Sequence, residues 1–356
     1  MTFISHLRSR TVTLWVLLVA LILSGCGALI REMPGGAPTQ EASGGAPTQE
    51  ASMFRANPAR TGVFPSDGPT TLSELVWKFK IGIAIVSSPA VAGGVVYIGS
   101  GDGRLYALDA RTGRMKWKFK TNNSGFFSSG VFSSPAVVDG VVYVGSDDGR
   151  LYALDARTGQ EKWSFKTFQS VVSSPAVADG VVYVGNSIAG RFYALDARTG
   201  QEKWRFKTDG HVVSSPAVTD GVVYVGSRDG RLYALDARTG QEKWSFQTDG
   251  PVNSSPAVAG GVVYVGSDDR RLYALDARTG EEKWSFKTDG GVYSSPAIAG
   301  SMVYFGSGDG RLYALDARTG QEKWRFKTDG GVNSSPAVAG GVVYFGSTDG
   351  YLYAVR

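Results

Sequence analysis

The sequence is poor in the residues that build metal sites and covalent crosslinks. It has one cysteine, Cys26, and two histidines, His6 and His211. One cysteine excludes a disulfide within the chain, and no Cys/His cluster is available for zinc. His211 lies in a loop, where a lone histidine is most often solvated. The composition therefore predicts no catalytic histidine and no zinc site.

Acidic residues do not form a calcium loop either. Aspartates occur in short Gly-rich loops, but without the alternating carboxylates and terminal glutamate that calcium loops need. We interpret them as turn residues, and the sequence predicts no metal and no cofactor. The aspartates in question are Asp147, Asp148, Asp268, Asp269 and Asp309.

The chain also lacks a concentrated charge of one sign. Its formal net charge is +5, and 19% of its residues are charged. Basic and acidic residues alternate, as in Arg-Thr-Gly-Gln-Glu-Lys, which indicates a solvated surface. Nucleic-acid binding requires a concentrated basic face, so we expect no nucleic-acid partner.

The longest apolar run of the chain lies near the N-terminus, and it is too short to be a typical membrane span. Arg8 and Arg10 precede apolar residues from Thr11 to Leu23, and the run ends Leu-Ser-Gly-Cys26. This pattern is typical of a signal peptide, and its end resembles a bacterial lipobox, whose cysteine is acylated after cleavage. We predict a lipoprotein signal peptide over residues 1–26 with Cys26 lipidated. The alternative is a chance cysteine beside an anchor.

No stretch has helical periodicity, and residues 75–356 are instead a repeat. Each unit contains Ser-Ser-Pro-Ala-Val, Gly-Val-Val-Tyr-Val-Gly-Ser and Arg-Leu-Tyr-Ala-Leu-Asp, with Gly or Asp-Gly between them. Four short strands in about 40 residues are typical of a propeller blade. We predict an all-β, seven-bladed β-propeller. Tryptophans recur at intervals of 40, 46, 41, 40, 40 and 40 residues, at Trp77, Trp117, Trp163, Trp204, Trp244, Trp284 and Trp324.

The strand positions within a unit follow from residue chemistry. Proline cannot donate to a ladder, so Ser-Ser-Pro-Ala-Val is predicted to be the innermost edge strand, lining the central channel. The next two segments are apolar on both faces, which suits strands covered by neighbouring blades. Trp-Lys-Phe-Lys alternates, so its aromatic side chains should point inward from an outermost strand and its lysines should protect that edge.

The two ends of the repeat are incomplete in a complementary way. Trp77 lacks the preceding segments of a unit, and the chain stops at Arg356 before any further tryptophan. We predict that residues 75–80 supply the outermost strand of the last blade, whose other strands come from residues 333–355. Such pairing would close the ring and cover its strand edges.

The segment before the repeat has a different composition. Residues 27–52 contain a polar nine-residue sequence twice in succession, at 35–43 and 44–52. Small polar residues with proline cannot bury enough apolar area to fold, so we predict a flexible tether. Residues 53–74 are an irregular lead-in with scattered apolar residues, which we expect to pack on the outside of the propeller.

One turn carries a family resemblance. The pattern Ala-x-Asp-x-x-Thr-Gly-x-x-x-Trp is similar to the tryptophan-docking motif of PQQ-type β-propellers, which implies that each tryptophan stacks between blades as a structural residue. With the lipobox and the tether, the chain resembles the BamB-type lipoproteins of the barrel-assembly machinery, which inserts outer-membrane proteins. The complete copies begin at Ala107, Ala153, Ala194, Ala234, Ala274 and Ala314.

The resemblance implies a monomeric, non-catalytic envelope scaffold that binds a protein partner. It would be anchored by lipid on the extracytoplasmic side of the outer membrane, or of the plasma membrane in a host without one. Two alternatives remain open. A quinoprotein dehydrogenase of this family would bind quinone and calcium in the channel and often carry adjacent cysteines, which this chain lacks. The other alternative is a ligand-sensing propeller.

Differences between repeats indicate where a partner would bind. The loops that lead from an outermost strand to the next innermost strand read Thr-Asp-Gly in later units but are apolar in the first three. An apolar cluster on one face often marks an interaction site. The alternative is that the long second loop folds over the channel mouth and buries its own phenylalanines. The apolar residues are Ile81, Ile83, Ile85, Phe126, Phe127, Phe132 and Phe168.

The lipid anchor is directly testable. The wild-type protein extracted from membranes should carry a diacylglyceryl group and acyl chains on Cys26, visible in its intact mass. Cys26→Ala should abolish acylation, because the thiol is the attachment point. An unmodified wild-type mass would contradict the lipobox interpretation.

Overall fold

The described residues form 27 strands between residue 90 and residue 355, all paired antiparallel, in a computed structural model of the chain. The structure describes residues 57, 60, 77–81, 85, 87–122, 130–167, 169–339 and 341–356. The predicted signal peptide with Cys26 and the predicted tether lie outside these residues. None of the described residues belongs to a helix long and apolar enough to cross a membrane.

The strands form seven successive sheets, and the prediction of an all-β, seven-bladed propeller is confirmed. Blade 1 contains β1 (Ala90–Ala92), β2 (Val95–Ser100), β3 (Arg104–Asp109) and β4 (Met115–Lys120). Blade 2 contains β5 (Ala136–Val138), β6 (Val141–Gly145), β7 (Arg150–Asp155) and β8 (Glu161–Lys166). Blade 3 contains β9 (Ala176–Ala178), β10 (Val181–Gly185), β11 (Arg191–Asp196) and β12 (Glu202–Lys207).

Blades 4 to 6 repeat this order. Blade 4 contains β13 (Ala217–Thr219), β14 (Val222–Gly226), β15 (Arg231–Asp236) and β16 (Glu242–Gln247). Blade 5 contains β17 (Ala257–Ala259), β18 (Val262–Gly266), β19 (Arg271–Asp276) and β20 (Glu282–Lys287). Blade 6 contains β21 (Ala297–Ala299), β22 (Met302–Ser307), β23 (Arg311–Asp316) and β24 (Glu322–Lys327). Within the described residues blade 7 has β25 (Ala337–Ala339), β26 (Val342–Gly346) and β27 (Leu352–Val355).

The innermost strand of each blade is short because the proline before it cannot join the ladder. In blade 2, Pro135 directly precedes β5, which pairs with β6 alone and begins with Ala136 opposite Tyr143. Innermost strands of consecutive blades lie next to one another around the axis. The predicted position of the proline segment is therefore confirmed.

The core lies between blades, not within one. The third strand of blade 3 turns Phe192 and Ala194 toward blade 4, where they pack with Val212, Val223 and Tyr233. All five side chains are nearly inaccessible to solvent. Because a middle strand is covered by a neighbour on each face, it is apolar at consecutive positions.

The outermost strands alternate as predicted. In blade 3, Trp204 and Phe206 are half-buried while Lys203 and Lys207 are exposed. Trp204 stands opposite Ala194 in the ladder, and the register shifts just after this pair. This shift is a β-bulge, which re-aims side chains at the end of a strand.

The tryptophans from Trp117 to Trp284 each dock onto the following blade. The Nε1–H of Trp163 donates to the carbonyl of Ala197 at 3.0 Å, and the hydroxyl of Tyr143 donates to the same carbonyl at 3.0 Å. The indole covers Gly200, where an added Cβ would lie 2.6 Å from the ring. One carbonyl thus receives two aromatic donors from the preceding blade. The same pair of donors reaches Ala156, Ala237, Ala277 and Ala317.

The aspartate of the motif shapes the turn that receives the tryptophan. One carboxylate oxygen of Asp196 accepts hydrogen bonds from the backbone N–H of Thr199 at 2.9 Å and from its hydroxyl at 2.8 Å. The N–H of Gly200 donates to the Asp196 carbonyl at 2.8 Å, and Gly200 has φ of +73°. The threonine hydroxyl bond is the largest influence that lowers the pKa of Asp196. The carboxylate therefore holds Gly200 in a left-handed conformation that glycine adopts easily.

The junction between blade 7 and blade 1 differs from the others. Trp77 docks on blade 1 in the same way as other tryptophans, with its Nε1–H donating to the Ala110 carbonyl at 2.8 Å and its ring over Gly113. Leu352 in β27 is 68% exposed, whereas Leu312 at the equivalent place in blade 6 is fully buried. Residues 77–81 form no strand, and β27 pairs only with β26 among the described residues. Closure of the ring by the N-terminal strand remains a prediction.

Two glycines of blade 4 distinguish the effect of backbone conformation from the effect of the space that the docked indole needs. Gly240 has φ of +73° and would place a Cβ 2.6 Å from the Trp204 ring, whereas Gly221 has φ of +70° and open space around it. Gly221→Ala should cost about 1 kcal/mol because of its left-handed backbone. Gly240→Ala should cost about 3 kcal/mol, because the methyl group also displaces the indole.

Urea unfolding of the two variants measures this difference. Equal losses would show that the indole does not press on the glycine.

Candidate binding face

Two kinds of loop meet at one end of the propeller, which we call the loop face. They are the loops between second and third strands and the loops between a fourth strand and the next first strand. The N–H of Asp268, in the first kind, donates to the carbonyl of Pro251, in the second kind, at 2.9 Å. The same contact joins Arg228 to His211 at 3.0 Å. The docking turns lie at the opposite end, because antiparallel strands place alternate connections at opposite ends.

The structure describes three of the predicted partner-binding residues. Ile81 packs against a cluster formed by Ile98, Tyr106 and Leu108, so it belongs to the interface with blade 1. Ile85 is 37% exposed. The other four predicted residues, Ile83, Phe126, Phe127 and Phe168, lie outside the described residues.

Ile85 occupies a packing position of the repeat. Its counterparts are valines with no exposed surface, and Val212 shows the reason: it sits where a Cβ on Gly185 of the preceding blade would be, only 2.3 Å away. The blade that precedes Ile85 around the ring is blade 7. The exposure of Ile85 therefore occurs at the junction with blade 7, the blade that has three strands among the described residues.

Phe132 lies folded toward its own loop. A Cβ added to Gly130 would meet the tip of the Phe132 ring at 2.5 Å, and the side chain is half-buried. Gly130 thus allows the ring to lie over the backbone at the end of the long loop. This arrangement buries part of the ring and leaves part of it accessible.

Ile188 is an exposed apolar residue of the loop face that sequence reasoning missed. It is 44% exposed in the loop between β10 and β11 of blade 3. Most other units have Asp-Gly in this loop, but blade 3 has Ser187-Ile188-Ala189. This departure from the repeat is a signal that the sequence contains. It was missed because only the loops between a fourth strand and the next first strand were compared. With Ile85 and Phe132 it places apolar surface on blades 1 to 3.

A polar network occupies the loop face of blades 4 and 5. The Nε–H of Arg228 donates to Oδ1 of Asn253 at 2.8 Å, and Nδ2 of Asn253 donates to both carboxylate oxygens of Asp268 at 3.1 and 3.2 Å. Sequence reasoning missed this network, which joins residues of blades 4 and 5. The signal lay in single positions, since Asn253 replaces the valine found at the same place in three units.

Burial shifts the pKa values of the groups on this face. Burial raises the pKa of Asp268, while the hydrogen bond from Asn253 opposes that shift. Burial also raises the pKa of Asp147 to about 6, although Ser170 donates a hydrogen bond to its carboxylate. The pKa of His211 is lowered by burial and then by the positive charge of Arg228.

The other aspartates of these loops are turn residues, as predicted. Asp269 accepts hydrogen bonds from the backbone N–H of Arg271 at 3.0 Å and from the hydroxyl of Tyr273 at 2.7 Å. Asp148 and Asp309 make the same bonds in their own blades. Within the described residues, no three His, Cys, Asp or Glu side chains come close enough to hold a metal ion.

The serines of the innermost segments bond to the backbone, as expected from their presence in every unit. In blade 3 the N–H of Ser174 donates to the hydroxyl of Ser215 in blade 4 at 3.0 Å, while the hydroxyl of Ser173 donates to the carbonyl of Gly185 in its own blade at 3.0 Å. Ser88, Ser134, Ser215, Ser255 and Ser295 continue the bond between blades. These bonds link the blades around the axis.

The lead-in differs from expectation at Arg60, whose side chain contacts the propeller. Arg60 has no exposed surface, and its Nη2–H donates to the carbonyl of Ser134 at 2.8 Å. Its Nε–H donates to the carbonyl of Pro175. These carbonyls belong to innermost segments, so the expectation that the lead-in packs on the outside is wrong for Arg60.

Comparison with known proteins gives the family. The model of the family described as outer membrane protein assembly factor BamB matches residues 71–172, 166–256 and 248–356. The chain belongs to the BamB family. The crystal structure of BamB from Moraxella catarrhalis has a TM-score of 0.67 to this chain and 24% identity, over 79% of this chain and 88% of that one.

Enzymes share the fold as well. A europium-containing methanol dehydrogenase has a TM-score of 0.64 and 18% identity, over 76% of this chain and 72% of that one. The quinohemoprotein alcohol dehydrogenase ADHIIG from Pseudomonas putida HK5 has a TM-score of 0.62 and 19% identity, over 75% of this chain and 61% of that one. A comparison with curated protein sequences finds no match.

The described residues of this BamB-family chain do not fit a quinone site with its calcium ion. Calcium takes carboxylate and carbonyl oxygens as ligands. On the loop face Asp147 is buried and Asp268 is half-buried; they lie in different blades, and each is bonded to a neighbouring side chain. At the innermost segments of blades 2 and 3, the carbonyls of Ser134 and Pro175 face the cation of Arg60.

Asn253 and Asn333 occupy the same position of the repeat and provide a matched pair. Asn253 bridges Arg228 and Asp268, whereas the buried Oδ1 of Asn333 accepts no hydrogen bond from any residue that the structure describes. Asn253→Val should cost about 1–3 kcal/mol, because it removes the amide between two half-buried charged groups. Asn333→Val should be neutral or stabilising, since valine replaces a buried acceptor.

Chemical denaturation distinguishes the two variants. If Asn333→Val is the more destabilising one, the polar network does not stabilise this face.

Proposed function

We propose that this protein is a non-catalytic, lipid-anchored scaffold of the bacterial envelope, whose propeller binds a protein partner in outer-membrane protein assembly. The observation that carries the proposal is the match to the BamB family over the whole repeat region, residues 71–356. The fold shared with BamB from Moraxella catarrhalis supports it.

The lipid anchor rests on the sequence. Cys26 follows Leu-Ser-Gly after a basic start and an apolar run. In this proposal the acylated Cys26 holds the protein at the extracytoplasmic side of a membrane, the outer membrane where the host has one. Residues 27–52 then separate the propeller from the lipid surface, because polar low-complexity chains span distance without folding.

The proposed partner surface is the apolar part of the loop face on blades 1 to 3. Ile85, Phe132 and Ile188 support it, since each is at least partly exposed there. Burying a large apolar side chain gains about 1.5–3 kcal/mol, so a few such residues are enough to anchor a specific contact. The proposed set is Ile81, Ile83, Ile85, Phe126, Phe127, Phe132 and Phe168 together with Ile188, with Ile81 forming its packed base.

A pull-down from solubilised membranes tests the surface with a control on the opposite end. Met115 is 45% exposed at the start of β4, next to the docking turn of blade 1. The double variant Phe126→Ser and Phe127→Ser, and separately Ile188→Ser, should lose the co-purifying protein and keep the wild-type melting temperature. Met115→Ser should retain that protein.

Other outcomes contradict the proposal in different ways. A partner that remains bound to both loop-face variants places its binding site elsewhere. A fall in melting temperature for the double phenylalanine variant means that these side chains are internal packing. A quinone chromophore that co-purifies with the chain would favour a dehydrogenase over a scaffold.

A further inference from the structure

Arg60 is a fully buried arginine that comes from outside the repeat. It precedes the first strand by 30 positions, yet its side chain reaches the innermost segments of blades 2 and 3. An arginine is almost never fully buried unless its charge is matched by acceptors. Its burial in the propeller therefore indicates a site built to receive it.

The acceptors are backbone carbonyls of two neighbouring blades. Each innermost segment contains a Ser-Pro dipeptide. Ser134 is the serine of this dipeptide in blade 2, and Pro175 is its proline in blade 3. The Nη2–H of Arg60 donates to the Ser134 carbonyl at 2.8 Å and the Nε–H donates to the Pro175 carbonyl. Residues before β5 and β9 lie beyond the paired part of these strands, so their carbonyls are available on the axial side.

The backbone at Arg60 is arranged to present the side chain. Its N–H donates to the carbonyl of Asn57 at 3.0 Å, a bond between residues three apart that is typical of a β-turn. Its φ is +57°, in the left-handed region that residues with a Cβ seldom adopt. Such a conformation persists where surrounding contacts determine it. The two carbonyl contacts are such a determinant.

A guanidinium suits this pair of acceptors better than an ammonium does. Its N–H groups lie in one rigid plane and point in fixed directions, so two of them can meet two carbonyls at once. A lysine ammonium is a compact charge on a flexible stem and is strongly hydrated. The geometry of Ser134 and Pro175 therefore discriminates between the two kinds of cation.

We propose that the innermost carbonyls of blades 2 and 3 form a guanidinium-binding site that Arg60 fills from within the same chain. The site ties the lead-in segment to the axis of the propeller and joins two blades through one side chain. When the Arg60 side chain is removed, the site binds a free alkylguanidinium. The serine bond from Ser134 to Ser174 lies beside it and holds the two blades in register.

Thermal unfolding with added methylguanidinium chloride tests the site. Arg60→Ala should lower the melting temperature by about 5 °C, since charge-assisted hydrogen bonds to buried carbonyls are lost. Methylguanidinium, far below denaturing concentrations, should restore part of that loss. Arg60→Lys should melt below wild type and gain little from methylguanidinium, because its own side chain obstructs the site. Arg111→Ala, at an exposed arginine of a docking turn, is the control and should melt like wild type.

Two results would overturn the proposal. One is an Arg60→Ala variant that melts like wild type. The other is a methylguanidinium effect of equal size on Arg60→Ala, Arg111→Ala and wild type, with sodium chloride as the ionic-strength control.

A measurement on the wild-type chain remains decisive even if Arg60→Ala does not fold. Trypsin must enclose an arginine side chain to cut after it, so the bond after Arg60 should resist cleavage in the folded protein. The same bond should be cut once the chain is unfolded in urea. Cleavage after Arg60 at equal rates in folded and unfolded protein would contradict a buried guanidinium.

Discussion

The structure depends on one contact, in which a tryptophan and a tyrosine of one blade share a carbonyl of the next. In blade 3 the donors are Trp204 and Tyr183, and the acceptor is the carbonyl of Ala237, at 3.0 and 3.1 Å. The indole lies over Gly240, where no side chain fits. A repeat that needs its neighbour to bury its aromatic residues has no stable form alone, so the blades form one cooperative array. Every other feature of the molecule is attached to this array.

Much of the array follows from local chemistry and could be predicted. Proline before β5 predicts an edge strand, and glycine after Asp-Ala-Arg-Thr predicts a turn with positive φ. The alternation of Trp204, Arg205 and Phe206 predicts an outer strand with one exposed side. These signals act over a few residues, and they recur together in blades 1 to 6. Repetition made each of them readable several times in the same chain.

Contacts between distant residues were not predictable in the same way. Tyr183 reads as an ordinary core residue, and only the structure shows its hydroxyl on the carbonyl that Trp204 also uses. Arg60 reads as one charge in an irregular segment, because the sequence contains no local sign that carbonyls 74 and 115 positions away will receive it. Asn253 stands where three other units have valine, which is a change of a single residue. Its role in the structure depends on Arg228 and Asp268, which lie in two different blades.

The first and last segments of the repeat are predicted to complete a ring. Trp77 already docks on blade 1, and β27 has an open edge among the described residues. In complete blades the tryptophan stands opposite the alanine of the third strand, as Trp324 does opposite Ala314. By this register Trp77 should stand opposite Ala354, and Lys78 opposite Tyr353.

Disulfide formation between engineered cysteines measures this register most directly. A chain with Cys26→Ser, Lys78→Cys and Tyr353→Cys should form an intrachain disulfide on mild oxidation, since paired positions of adjacent strands lie within bonding distance. The control with Lys80→Cys and Tyr353→Cys should remain reduced, because it is two residues out of register. If the first pair stays reduced, or if both pairs oxidise alike, the N-terminal segment does not close the ring in the proposed register.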